Sequence, residues 1–295
     1  MNEMPPPVVA ALGHRGWSAV VDQAADEALR RGSVLHLVHA APADDEAGSR
    51  LLRSAAGYAA ARLGDRVPVT ATVAPMAAVP ALAAIGHEAA VVVVGRPRPG
   101  SHAHPYARSA SVGAACRVGA PVLSVPEDWA AEDRAATVVV GVDEPGRSAG
   151  LLATAVGAAR DRAAQLVVIS TSWRPPGAGS APLTHVTDPG TAERSASVMW
   201  AALSRYDVQP DDPRVSVVVG DERPGEALLA AARDATLLVL GRHTALVPTG
   251  SHLGPVARAV LREATCPVLL AAPEPHHWVE PTVSRGHLVT EVPTG

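Results

Sequence analysis

Short apolar runs rich in Val recur along the chain, separated by longer stretches whose apolar positions follow a helical period. In the first part the runs are Val8 to Leu12, Val34 to Ala40, Val69 to Ala74, Val91 to Val94 and Val122 to Val125. In the second they are Val138 to Val142, Leu166 to Ser170, Val215 to Val219, Leu237 to Leu240 and Val268 to Ala271. These runs are apolar almost throughout rather than alternating, which predicts strands covered on both faces, as in parallel sheets. The intervening "SAVVDQAADEALRRG" puts Val20, Ala24, Ala28 and Leu29 on one helical face and Asp22, Asp26 and Arg30 on the other. Gly32 supplies a natural C-terminal stop. Strand and helix alternate through both parts, so the pattern predicts right-handed βαβ crossovers.

The two parts are copies of one another. "VVVVG" at 91–95 matches "LLVLG" at 237–241, "PVLSV" at 121–125 matches "PVLLA" at 267–271, and "VTATVAP" at 69–75 matches "VSVVVGD" at 215–221, each 146 residues apart. Nearer the N-terminus, "LHLVHA" at 35–40 matches "LVVIST" at 166–171 and Leu12 matches Asp143, each 131 apart. The difference places about 15 extra residues in the second copy, in the Pro/Gly-rich "WRPPGAGSAPLTHVTDPGT" at 173–191. The expected organisation is a first domain over 1–126, a charged linker, a second domain over 137–273 and a flexible tail over 274–295. "PVLSV" and "PVLLA" are expected to pair across an internal two-fold, protecting both edges.

Composition narrows the partners. The chain has 295 residues, 47% apolar, with no Phe, a formal net charge of −4 and no Lys, so that all 25 basic residues are Arg. The Arg residues are scattered among acids, which predicts no nucleic-acid partner. No stretch nears the ~18 apolar residues of a membrane span, so a cytoplasmic location is expected. Cys116 and Cys266 read as buried, unreactive thiols.

In doubly wound sheets, ligands bind outside the carboxyl ends of the strands. In the second copy those ends carry "VVVGVDEPGRSA" and "LLVLGRHTALVPTGSHLGPVARAVLREATCPVLL". With the two-copy arrangement, these stretches resemble a tandem universal stress protein. The resemblance implies two five-stranded parallel sheets of order 3-2-1-4-5, of the adenine nucleotide alpha hydrolase-like class, joined through their last strands as an intramolecular pseudo-dimer. In one subclass it also implies ATP bound by a loop G-x2-G-x9-G-[ST].

Against that loop, the second copy keeps Gly241 and Gly254 but has Thr244 and Pro255 at the other two places. Pro255 suits a first helical position yet offers a phosphate neither hydroxyl nor N–H. The nucleotide-binding candidates are Gly141, Val142, Asp143, Gly241, Arg242, His243 and Gly254. Asp143 has a competing reading as a turn or cap residue. The first copy keeps Gly95 and Ser109, has Arg98 and Arg108 at the glycine places and Leu12 at the aspartate, and is the weaker candidate.

The other motifs are weaker. "SHAHP" at 101–105 and the histidines 276–277 lack further ligands at metal spacing, so no metal is expected. Neither a G-x-S-x-G elbow nor a P-loop is present, and no catalytic residue is expected. The expected function is a non-enzymatic stress-response module acting through unknown protein partners, with nucleotide binding weak or absent. The rival is a switch using ATP with Mg²⁺ in the second domain. Association of two chains into a homodimer is left open.

Overall fold

The computed structural model describes residues 5–42, 44–98, 112–131, 134–171, 189–242 and 253–272. The expected tail and the residues His102, His104, Arg108, Ser109, His243 and Thr244 lie outside them. In the first half, β1 (Val8–Ala11), α1 (Trp17–Arg31), β2 (Leu35–Ala40), α2 (Glu46–Leu63), β3 (Val69–Ala74), α3 (Ala78–Ile85) and β4 (Val91–Arg96) are followed by a short helix α4 over 112–117 and by β5 (Val122–Pro126). The second half repeats the order as β6 (Thr137–Gly141), α5 (Ala149–Asp161), β7 (Gln165–Thr171), α6 (Pro189–Leu203), β8 (Val215–Gly220), α7 (Pro224–Ala231), β9 (Leu237–Leu240), α8 (Pro255–Glu263) and β10 (Val268–Leu270). All strands fall within two residues of the apolar runs. α6 begins at Pro189, so the last three residues of the stretch read as loop are helical, with proline at the helix start where its missing N–H costs nothing.

The expectation of two separate sheets is corrected. β1 to β5 take the order β3-β2-β1-β4-β5 and β6 to β10 the matching order, but β5 and β10 are hydrogen-bonded, so a single ten-stranded sheet runs β3-β2-β1-β4-β5-β10-β9-β6-β7-β8. Every pairing within a half is parallel. β5 and β10 are antiparallel, with Val268 opposite Ser124, Leu269 opposite Leu123 and Leu270 opposite Val122. Leu123 and Leu269 are the same position in the two copies, so each copy presents the same surface to the other. Joining the strands removes two exposed edges and leaves β3 and β8 as the outer ones. The apolar side chains of both halves form one continuous core.

Helix α1 ends as its glycine requires. Gly32 has φ 60°, a left-handed conformation that a side chain disfavours, and its N–H reaches back to Ala28 and Leu29. Val20, Ala24 and Ala28 are buried. The face read as solvent-directed instead meets α2: Tyr58 donates to Asp22 (2.9 Å) and Arg62 to Asp26 (2.7 Å). Glu27 is buried. Among the described residues no helix is long and apolar enough to cross a membrane.

Candidate functional site

The winding reverses twice, between β1 and β4 and between β6 and β9, because each first strand is flanked by the second and fourth of its own half. Crevices outside the carboxyl ends of those strands are where this architecture places ligands. In the second half Gly141 ends β6, Val142 is buried with its N–H on the Ile169 carbonyl (2.9 Å), and Asp143 emerges exposed. Neither following helix takes the Asp143 side chain as a cap, which removes the capping part of its competing reading.

Gly141 has a packing reason of its own. A Cβ there would stand 2.9 Å from Leu228 Cδ2 and 3.2 Å from Leu240 Cδ2, both in the core. Gly141→Ala is therefore expected to cost about 1–3 kcal/mol by overpacking, read as a lower urea midpoint. An unchanged midpoint would return the glycine to a role at a ligand.

Across the switch point Gly241 follows β9 and is exposed, and a Cβ there would make only ordinary contact with Leu151 at 3.5 Å. Gly254 is the N-cap of α8, with φ −68° and ψ 169°, backbone that any residue adopts, and no side chain caps the helix. Asp143 and Gly241 thus follow the neighbouring parallel strands β6 and β9, on the side of the sheet where this architecture places ligands.

Arg242 does not join them. It is buried and turned into the seam between halves: its Nε donates to the Ala271 carbonyl (2.6 Å), Nη1 to Ala115 (3.0 Å) and Val118 (2.7 Å), and Nη2 to Gly119 (3.5 Å) and Ala120 (2.7 Å). Arg96, 146 residues earlier, does the reciprocal thing, donating to Ala264 (2.8 Å) and Cys266 (2.5 Å), which lie 146 residues after Val118 and Ala120. Each half thereby sends one arginine into the carbonyls ahead of the other half's last strand. Burial pulls both guanidiniums down to about 10, so both stay charged at neutral pH. Burial also pushes the Cys266 thiol up to about 11, which keeps it protonated and weakly reactive, in line with its reading as inert. The repeat arithmetic held the signal for this clamp, because Arg96 and Arg242 are the same position in the two copies.

In the first half Gly95 lies within β4, where a Cβ would crowd Val20 at 3.2 Å. Leu12 is buried, filling with hydrocarbon the place that Asp143 takes in the second half. Arg98 is exposed and paired with Asp128 at 2.8 Å. What the fold gathers here was not read from the sequence: His14 beyond β1, His39 near the end of β2 and Asp45 after it come together.

Residues 135–272 match the universal stress protein family. The matched segment covers β6 through β10 and includes Asp143. A universal stress protein of Mycobacterium tuberculosis is 30% identical over 201 residues, 65% of this chain and 65% of the relative, and one of Mycobacterium bovis matches equally. The chain thus spans 65% of the length of the curated relatives it matches. Among solved structures, a universal stress protein from Archaeoglobus fulgidus superposes with a TM-score of 0.66 at 15% identity, covering 91% of this chain and 98% of that one. The cytoplasmic domain of a prokaryotic cation chloride cotransporter does so with 0.52 at 15%, covering 92% and 96%. The fold is therefore shared between proteins of different roles, and residues rather than architecture must carry the function.

Proposed function

We propose that the whole chain is a tandem universal stress protein, two domains divided as 1–126 and 137–273, acting as a non-enzymatic stress-response module in which nucleotide binding is weak or absent. The reciprocal register of β5 on β10 supports reading the chain as an intramolecular pseudo-dimer. The observation that carries the functional reading is the orientation of Arg242. The cation that would border a triphosphate is committed to five carbonyls at the domain seam. Pro255 stands where the nucleotide-binding loop would have a hydroxyl residue, and it offers a phosphate neither hydroxyl nor N–H. In the first domain the buried Leu12 takes the acidic position, so that position offers an adenosine no polar group.

One observation favours a second reading, an ATP-binding switch with Mg²⁺ in the second domain. Asp143 stands exposed beside the switch point, and α8 presents a helix start capped by no side chain. Purified protein, denatured and analysed for released adenine nucleotide, then titrated with ATP and Mg²⁺ by calorimetry, separates the two. The module reading expects no released nucleotide and no saturable heat. Saturable binding that Asp143→Ala weakens by an order of magnitude would replace it with the switch.

A further inference from the structure

His14 follows β1, His39 lies in β2 and Asp45 is the N-cap of α2, and the fold brings one ligand atom of each within 4.8 Å of the others. His39 is buried, 5% exposed. Its Nδ1 is 2.8 Å from the Leu12 carbonyl oxygen. A carbonyl can only accept, so Nδ1 carries a proton towards it, which leaves Nε2 as the ring atom available to a metal ion. That Nε2 is buried without a hydrogen-bond partner and lies 3.5 Å from Asp45 Oδ2. It thus faces the partly exposed Asp45 carboxylate across that gap, and one cation between them would take both as ligands.

The gap is kept open by Gly48. A Cβ there would lie 2.7 Å from both Asp45 Oδ2 and His39 Nε2. In the first turn of a helix alanine would otherwise be the better residue. The exposed ring of His14 stands edge-on to His39, with centroids 5.2 Å apart and planes at 70°.

We propose that His14 and His39, through ring nitrogens, and Asp45, through Oδ2, bind one divalent cation of the zinc class, with a fourth position open to solvent. Two imidazoles and a carboxylate match the donors zinc takes when one coordination position stays open. Ligands about 2.0–2.2 Å from a tetrahedral ion lie about 3.3–3.5 Å apart, which is the His39–Asp45 separation. The exposed His14 needs to close by about 1.5 Å at most to complete the set. Outer-shell support is in place: the Leu12 carbonyl orients His39, and the Ala47 N–H holds Asp45 Oδ1 at 3.0 Å. The corresponding residues of the second half, 131 positions on, are Pro145 and Ser170. The site belongs to the first half alone and stands whether or not the second half binds nucleotide.

The test titrates Zn²⁺ into the metal-stripped full chain by calorimetry and follows Co²⁺ binding by its visible absorption. Four substitutions accompany it: His14→Ala on the surface, Asp45→Asn, which keeps the helix cap, Gly48→Ala, which fills the gap, and His39→Ala. Circular dichroism without metal controls for folding, and His14→Ala removes an exposed ring whose loss leaves the core intact. The expected result is an ion bound with intense tetrahedral Co²⁺ bands, weakened about tenfold or more by His14→Ala or Asp45→Asn and abolished by His39→Ala or Gly48→Ala. No saturable binding, or binding that these changes leave untouched because other histidines hold the metal, overturns the proposal.

Discussion

Arg242→Met is expected to lower the stability of the folded chain by about 3 kcal/mol, and Arg96→Met by somewhat less. Arg242 supplies charged donors to five carbonyls. Each bond of that kind is worth about 1.5–3 kcal/mol, and a buried carbonyl left unpaired costs about 1–3 kcal/mol. Methionine fills much of the volume and escapes the desolvation that the guanidinium suffers, which returns part of the loss. Because four of the five acceptors belong to the other half, the damage falls on the joint. Urea unfolding followed by tryptophan fluorescence and by far-ultraviolet circular dichroism should coincide in the parent chain and separate in the Arg96→Met/Arg242→Met double variant, as the halves lose their coupling. Arg98→Met is the control: its pairing with Asp128 is solvent-exposed and worth at most about 1 kcal/mol. A midpoint for Arg242→Met no lower than that of the control would mean the seam does not depend on the clamp.

Arg242 also shows what a sequence can and cannot tell. Its place one residue after Gly241 assigns it to a phosphate loop by motif position. Its actual acceptors, apart from Ala271, lie more than 120 residues earlier in the chain. Local spacing carries no record of such partners, although the 146-residue repeat does pair Arg242 with Arg96. The strands were legible because burial on both faces forces a run such as Val91 to Val94 to be apolar throughout. The pairing of "PVLSV" with "PVLLA" was legible too, from the need to cover two edges, but their pattern does not show that the pairing is hydrogen-bonded and so merges both sheets into one. Histidine density misled for the same reason. "SHAHP" draws the eye, whereas His14 and His39 are 25 residues apart and meet through the parallel register of β1 on β2, which sets Ala11 opposite Val38. A search pairing residues at and beyond the carboxyl ends of adjacent strands would have brought them together.

Glu27 carries the other large effect. It sits on the buried side of α1, 4% exposed, and accepts from Arg30 (3.0 Å), Arg31 (3.3 Å) and Arg162, the last from the C-terminal cap of α5 in the other half. Burial alone would raise its carboxyl, but Arg162, Arg30 and Arg31 together outweigh burial and hold it below its ordinary value of 4.5. A carboxyl depressed by folding stabilises the folded state fully above its unfolded value and loses that contribution as the pH falls through the lower, folded one. Stability should therefore decline below about pH 4.5, and Glu27→Gln should flatten that part of the profile. Removing the charge leaves Arg162, 15% exposed at its side chain, without its counter-ion. A buried pair broken on one side costs about 3–5 kcal/mol, so Glu27→Gln should lower the urea midpoint at pH 7 as well. The double variant Glu27→Leu/Arg162→Leu separates charge from packing. Replacing both members by hydrocarbon is often neutral, so it should recover most of the loss while keeping the flattened acid limb. If it is as unstable as Glu27→Gln, then Arg30 and Arg31 on α1, rather than the bond between halves, are what Glu27 serves.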